Sequence, residues 1–145
     1  MGENGAPSKR TSLIRSHRDL DVYKRAVAAA MNVFDASRGF PKEEVYSLTS
    51  QVRRSSRSVA ANIAEAWRKR RYEAAFVSKL SDSEGEAAET QVHLEFAVKC
   101  GYLQRQEGTP LYREYEQLIK SIVGMIHHAE HWVLQHPSKR TRDDS

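Results

Sequence analysis

The sequence contains a single cysteine, Cys100, among its 145 residues. One cysteine excludes a disulfide within the chain and is typical of proteins that work in a reducing compartment. No apolar run approaches the roughly eighteen residues that a membrane-spanning helix needs, and the N-terminus has no apolar stretch of the kind that marks a signal peptide. These absences predict a cytoplasmic protein that does not enter a membrane.

Motifs for chemistry are equally scarce. The sequence has no Gly-x-Ser-x-Gly, no glycine-rich phosphate loop and no pair of carboxylates in a defined setting. His127, His128 and His131 invite a metal interpretation, but helical spacing puts His127 and His131 on the solvent side, and we expect Glu130 to point elsewhere. We therefore predict no enzyme activity, no cofactor and no bound metal.

Proline and glycine number four and seven residues, so long segments with helical periodicity run without interruption. No strand pattern competes with them. Asp19 is the expected N-cap of the first helix, and Thr109-Pro110 is the expected start of the fourth. The prediction is an all-α, antiparallel up-down four-helix bundle over residues 19–136, with helices at about 20–37, 42–71, 72–100 and 110–135, a flexible basic N-terminal arm over 1–18 and a flexible C-terminal tail over 137–145.

Charge is distributed unevenly between the second and third helices. Residues 45–71 carry seven basic residues against one acid, whereas residues 72–100 carry six acids against two basic residues. The net charge of +4 comes from the two ends, because residues 19–136 sum to zero. A basic helix beside an acidic one has a partner within the fold, and any basic surface left over suits an anionic polymer.

The basic side chains of the second helix are the strongest functional signal. Most of them lie opposite its apolar stripe of Val52, Val59 and Ile63 on a helical wheel, with small alanines among them. Arginine grips phosphate bidentately, and no aromatic residues are interleaved for base stacking, so we expect recognition of backbone and shape. The candidate nucleic-acid-binding residues are Arg53, Arg54, Arg57, Arg68, Lys69 and Arg71.

The sequence leaves a second interpretation of these arginines open. They are equally able to pair with acids of the third helix or of a neighbouring subunit. The acids best placed for this pairing are Asp82, Glu86 and Glu89.

The first and third helices each carry two apolar stripes, whereas a four-helix bundle needs one stripe per helix. The second stripe of each consists largely of small residues, which predicts contact with another subunit. Helices with wide apolar faces, or cover by the N-terminal arm, are the alternative. The candidate interface residues are Val22, Ala26, Ala29 and Val33 in the first helix and Gly85, Ala88, Val92 and Phe96 in the third.

Four polar residues lie near the core-facing sides of the second and third helices. Buried polar groups of this kind fix helix register more often than they catalyse, so we predict structural roles. An inward carboxylate at Glu84 needs a partner, for which Arg70 is the candidate. The predicted structural residues are Asn62, Glu65, Glu84 and Gln91.

The order of several short motifs resembles a known family. Residues 19–23 open a helix, Phe40-Pro41 follows, and the blocks at residues 46–54 and 58–65 read YSLTSQVRR and SVAANIAE. This order is similar to the four-helix-bundle family named after the 23S rRNA intervening sequence, the S23-type proteins, and the likeness covers residues 18–133. The family usually has glycine after the glutamate of the last block, where this chain has Ala66.

The resemblance implies a ring-like homopentamer of antiparallel bundles, with no known catalysis and a link to nucleic acid. The family is related to the accessory variability determinant of diversity-generating retroelements, a basic pentamer that binds a reverse transcriptase and its RNA. Arg53 and Arg54 match the family's arginine pair, and Asn62 and Glu65 match its polar pair. We therefore expect a homo-oligomer that binds RNA or DNA; the alternative is a protein-interaction scaffold or accessory subunit, for example for a reverse transcriptase or a ribosomal component.

Overall fold

The computed structural model describes residues 14–134, which contain four α-helices and no strand. The predicted all-α, four-helix fold is confirmed. None of the helices in this range is long and apolar enough to cross a membrane. The helices are α1 (Asp21–Ser37), α2 (Leu48–Arg68), α3 (Glu73–Lys99) and α4 (Arg105–His127), and short 3-10 helices lie at His17–Asp19, Lys42–Glu44 and Ala129–His131.

Each helix packs against two others. The α1 helix contacts α2 and α4, and α3 contacts the same two helices. Because a turn of four residues, 69–72, joins α2 to α3, these neighbours run antiparallel. This arrangement places α1 and α3 at opposite corners of the bundle.

The core combines large apolar side chains with small hydroxyls. Phe76, Leu80, Tyr115 and other large residues are fully buried, and each such apolar side chain contributes about 1.5–3 kcal/mol. Between α2 and α3, the hydroxyls of Ser55 and Thr90 lie 2.8 Å apart and hydrogen-bond to each other. Small, satisfied polar groups of this kind let the two helices approach closely.

The first helix begins at Asp21, close to the predicted start near residue 20, but its cap differs from the prediction. Ser16 caps a 3-10 helix at His17–Asp19, and α1 then starts at Asp21 without a side-chain cap. The Asp19 carboxylate accepts hydrogen bonds from the backbone N–H groups of Arg15 (2.8 Å) and Ser16 (3.3 Å), which lower the pKa of Asp19. Asp19 therefore forms a capping box with Ser16 on the short 3-10 helix, and it is not the N-cap of α1.

The second helix begins at Leu48 and not near residue 42, because the Glu44 carboxylate accepts hydrogen bonds from Ser47 and Leu48 at the start of the helix. This carboxylate accepts hydrogen bonds from the hydroxyl of Ser47, the hydroxyl of Tyr102 (2.8 Å) and the N–H of Leu48 (3.2 Å). These bonds, the one from Ser47 foremost, lower the pKa of Glu44. The same contact with Glu44 is the main reason that the pKa of Tyr102 rises to about 12.

The fourth helix differs most from its prediction. It starts at Arg105 and ends at His127, so Thr109-Pro110, the expected start, lies inside it. Gly108 is the physical reason that the helix is able to start before Pro110. A side chain there would meet Val98 at 2.6 Å, so glycine lets the first turn of α4 lie against α3.

The predicted flexible ends fall mostly outside the described residues. This applies to residues 1–13 of the arm and to the whole tail, 137–145. Residues 14–18 are described, and they are not a loose arm: Ile14 packs against the core, and Ser16 caps the 3-10 helix.

Candidate nucleic-acid interface

The predicted basic residues of α2 lie on the side of the helix away from its buried stripe. Val52, Val59 and Ile63 are buried against the rest of the bundle, as their spacing predicts. The cations outside that stripe fall into two groups with different surroundings. Arg53 and Arg54 form hydrogen bonds or ion pairs with other side chains, whereas Arg57 forms none within residues 14–134.

Arg53 joins α2 to the end of α1. Its Nε donates a hydrogen bond to the hydroxyl of Ser37 at 2.8 Å, and its guanidinium lies 4.6 Å from the centre of the Phe34 ring. The side chain is half-buried. Hydrogen bonding and a cation–π contact together make Arg53 a clamp between two helices.

Arg54 is paired with two acids of α3. Its guanidinium lies 3.4 Å from the Glu86 carboxylate and forms a short ion pair with Glu89. The hydrogen bonds that Arg54 donates to Glu89, and next to Glu86, raise the pKa of Arg54. Partial burial pushes the pKa of Glu89 up, but the hydrogen bonds from His93 and Arg54 outweigh it, so that pKa is lowered. For Arg54, the alternative of pairing within the bundle is correct.

Three predicted cations have a different environment. Arg57, Arg68 and Lys69 are exposed, and no carboxylate within residues 14–134 forms an ion pair with their side chains. Arg71 is also exposed, in the turn between α2 and α3. Their role in binding nucleic acid stays a prediction.

A groove runs along the first half of α2. It has a volume of about 550 Å³, and its walls include Arg53, Arg54, Arg57, Ser58 and Tyr46. Tyr46 is an aromatic neighbour of these arginines that the sequence analysis did not single out. The predicted second helix, about 42–71, included Tyr46, and its signal was the spacing of seven residues, about two helical turns, from Arg53.

The predicted interface residues divide between the two helices. The stripe Val22, Ala26, Ala29 and Val33 is buried in the chain's own core, so its assignment to a subunit contact is wrong. Small residues on this side let α1 approach α2 and α4 closely. Val27 and Met31, which lie on the other apolar stripe of α1, are exposed.

The corresponding residues of α3 are placed as predicted, on the outside of the bundle. Gly85, Ala88, Val92 and Phe96 are all exposed, and Phe96 leaves 55% of its surface accessible. A large aromatic ring exposed beside another apolar side chain forms the beginning of an apolar patch. Whether a second subunit covers it stays a prediction.

Two of the predicted structural residues make hydrogen bonds across or along helices. Gln91 is buried, and its Nε2 donates to the carbonyl of Tyr112 (3.3 Å) and to the carboxylate of Glu116 (3.0 Å), which links α3 to α4. Asn62 donates to the carbonyl of Ser58 at 2.9 Å within α2. These contacts suit residues that fix helix register.

The other two are less buried than expected. Glu65 is exposed and forms an ion pair with Lys79 at 3.3 Å. Glu84 is half-buried, and its predicted pairing with Arg70 is wrong. The Arg70 guanidinium instead lies 3.5 Å from the centre of the Trp67 ring, and its Nε donates to the Trp67 carbonyl at 2.8 Å. Burial, and next the charge of nearby Arg68, lowers the pKa of Arg70.

The histidines near the C-terminus are arranged differently from the expected helical pair. Because α4 ends at His127, His127 and His131 do not share a helix face. His128, Glu130 and His131 each bring one ligand atom within 4.8 Å of the others, and all three are exposed. The expectation that Glu130 points elsewhere is therefore wrong, while the absence of a metal stays a prediction.

Comparisons with known proteins bear on the whole bundle. The chain matches the family described as 23S rRNA-intervening sequence protein over residues 18–124. Among solved structures, it is similar to a protein of unknown function from the S23 ribosomal protein family of Bacteroides thetaiotaomicron VPI-5482, with a TM-score of 0.66 and 24% identity; the match covers 72% of this chain and 97% of that one. At this identity the likeness shows the fold alone. No curated protein matches the chain.

Proposed function

This chain belongs to the family of 23S rRNA-intervening sequence proteins, and we propose that it is a non-enzymatic, oligomeric helical bundle that binds nucleic acid, RNA above all, through a basic surface. The observation that carries this proposal is a set of cations on the outside of α2 and at its C-terminal cap that form no ion pair within residues 14–134. Arg57, Arg68 and Lys69 have no acidic partner among residues 14–134, so their charge is available to phosphates.

The spacing of these cations suits an extended backbone. Arg57 and Arg68 are separated by three helical turns, so they project from the same face of α2 about 16 Å apart. Ala61 and Ala64 lie between them on that face and offer no bulky side chain. A nucleic-acid strand is able to lie along this shallow surface and meet a cation at each end.

The acids of the neighbouring helix do not neutralise this surface. Glu86 and Glu89 are engaged by Arg54. Asp82 lies 3.6 Å from Lys79, which also pairs at 3.3 Å with Glu65 of α2 itself. The three acids of α3 that the sequence placed best for pairing, Asp82, Glu86 and Glu89, thus form ion pairs with Arg54 or Lys79.

Recognition through such a surface does not depend on base sequence. Arginine and lysine donate hydrogen bonds to phosphate oxygens, and these contacts carry no sequence information. We therefore propose binding to the backbone without base specificity. The cytoplasm is the proposed location, which agrees with the single free cysteine, Cys100.

The two outward apolar stripes support an oligomer. Val27 and Met31 are exposed on α1, and Val92 and Phe96 are exposed on α3, at the opposite corner of the bundle. Two different patches on opposite sides favour a head-to-tail contact, and repeated head-to-tail contacts close into a ring when the rotation permits. We propose the ring-like homopentamer that the family resemblance implies.

The oligomer has its own test. Changing Val92 and Phe96 to serine exposes no new apolar surface and leaves the buried stripe of α3 intact, so the subunit still folds. We expect light scattering to show a large assembly for the original chain and a smaller mass for V92S/F96S. An original chain that is monomeric at micromolar concentration would contradict the proposed assembly.

A protein partner is the second candidate, because the exposed Phe96 and Val92 also suit a contact with another protein. In that case the chain acts as a scaffold or accessory subunit. Purification from the native host with nuclease treatment separates the two functions. A partner that survives nuclease favours the scaffold, and a partner released by nuclease favours nucleic-acid binding.

The nucleic-acid function is tested by charge reversal with a matched control. The variant R57E/R68E reverses two cations of the proposed surface, and R113E/K120E makes the same charge change on exposed residues of α4. Losing two phosphate contacts lowers the affinity for single-stranded RNA about 25-fold at 0.1 M salt and reduces the salt slope by about 1.4.

Fluorescence anisotropy with labelled RNA at several salt concentrations measures both quantities. We expect R113E/K120E to bind nearly as well as the original chain. Equal losses of affinity in the two variants would assign the effect to net charge and would contradict a specific binding surface on α2. No binding by the original chain at low salt would end the proposal.

A further inference from the structure

Tyr46 is the most exposed large hydrophobic residue among those described, with 94% of its surface accessible. The ring lies just before α2 and makes no aromatic contact with another ring of residues 14–134. Its neighbour Val45 is also exposed, at 46%. A solvent-exposed aromatic ring next to another exposed apolar side chain is typical of a binding surface.

The backbone that carries Tyr46 is held in place on both sides. The carboxylate of Glu44 accepts hydrogen bonds from the Ser47 hydroxyl and the Leu48 N–H, and it also binds the hydroxyl of Tyr102. The N–H of Ser47 donates to the Glu44 carbonyl at 3.0 Å. Because these hydrogen bonds fix the backbone around Tyr46, less conformational entropy is lost when the ring binds a partner.

The ring borders the groove that Arg57 also lines. Arg53 and Arg54 form other parts of that groove, but their guanidinium groups are engaged by Ser37 and by two glutamates. Arg57 has no ion-pair partner among the described residues. The groove therefore combines one available guanidinium with one available aromatic face.

Single-stranded nucleic acid matches this combination. Proteins that bind single strands pair basic side chains with aromatic rings on which bases stack, and the stacking tolerates any base. Arginine supplies a bidentate contact to phosphate. The hydroxyls of Ser50 and Ser58, also in the groove, add neutral donors and acceptors.

We propose that this groove is a subsite for one nucleotide of a single strand, with its base stacked on the Tyr46 ring and its phosphate held by Arg57. The inference rests on the proposed function and adds a base-stacking element to a surface otherwise limited to phosphate contacts. It also predicts a preference for single strands over duplexes, since the bases of a duplex are already stacked on one another.

The subsite is tested by removing the ring and by removing the base. We compare the full chain with Y46A, and use Y112A as the control because Tyr112 is an exposed tyrosine of α4 outside the groove. The probes are a labelled oligoadenylate and an abasic strand of the same length. Y46A is expected to bind oligoadenylate about tenfold more weakly and the abasic strand unchanged, whereas Y112A binds both as the original chain does.

A tryptophan at the same position gives a direct signal. Y46W keeps a stacking ring, so it retains affinity for oligoadenylate. Its added fluorescence is quenched when a base stacks on it, beyond any quenching of Trp67 and Trp132 seen in the original chain. Little added quenching by the abasic strand supports stacking over a nearby phosphate contact.

The outcomes separate this subsite from the proposed function. If the original chain binds oligoadenylate and Y46A binds it equally well, the stacking subsite is wrong and backbone binding stands. If the original chain binds neither strand, both proposals fall. If Y46A changes the mass of the assembly, Tyr46 belongs to a subunit contact, which also overturns the subsite.

Discussion

Arg54 and Arg57 lie one helical turn apart on α2 and are both exposed, but their surroundings differ. Arg54 reaches Glu86 and Glu89 of α3, whereas Arg57 faces a groove and has no acidic partner in residues 14–134. The difference shows that a run of arginines is not a uniform surface. Which ones remain available depends on the face that the neighbouring acidic helix presents.

Arg53 makes contacts that stabilise the fold, and its removal has the largest expected effect on stability. R53A loses the hydrogen bond to Ser37 and the contact with the Phe34 ring, which together contribute about 1.5 kcal/mol. We expect R57A to change the free energy of unfolding by less than about 0.5 kcal/mol. Urea denaturation measures both; equal losses would mean that Arg53 is not a clamp.

Neutralising the partners of Arg54 should convert it into a residue like Arg57. E86Q/E89Q removes two negative charges beside the groove and leaves the Arg54 guanidinium available for phosphate. One added phosphate contact raises the affinity for single-stranded RNA about fivefold at 0.1 M salt. Anisotropy titration measures the change. An unchanged affinity would show that a cation at Arg54 does not lie on the binding path.

Acid should remove the difference in unfolding free energy between R54A and the original chain. At neutral pH, R54A loses a half-exposed ion pair, which costs about 0.5 kcal/mol. The lowered pKa of Glu89 means that this stabilisation is complete above its ordinary value of 4.5 and is lost as the pH falls through the folded-state value. We expect unfolding curves of R54A and the original chain to converge below pH 4.5, and a constant gap would contradict the pairing.

Several features of the fold were readable from local patterns. The apolar stripe of α2 follows helical spacing, and α3 spans almost the predicted residues, although α2 is shorter than predicted at both ends. The start of α4 was not readable, because Gly108 and Pro110 resemble loop residues. The glycine is needed for the close approach of Val98, a contact between helices that no local pattern contains.

The assignment of Val22, Ala26, Ala29 and Val33 of α1 to a subunit contact was wrong for a related reason. The outward stripe of α1 contains the larger residues Val27 and Met31, and its inward stripe contains Ala26 and Ala29. Hydrophobicity favours the larger set, but close helix packing selects the smaller one. In the same way, the sequence left the partners of the arginines open, because pairing depends on long-range register between α2 and α3.

The most direct measurement compares R54Q with R57Q in the salt dependence of single-stranded RNA binding. Both variants remove one positive charge from the same helix, so net charge is matched. We predict that R57Q reduces the slope of the logarithm of the binding constant against the logarithm of the salt concentration by about 0.7, and that R54Q leaves it unchanged. Equal slopes in the two variants, or a larger loss in R54Q, would contradict the account.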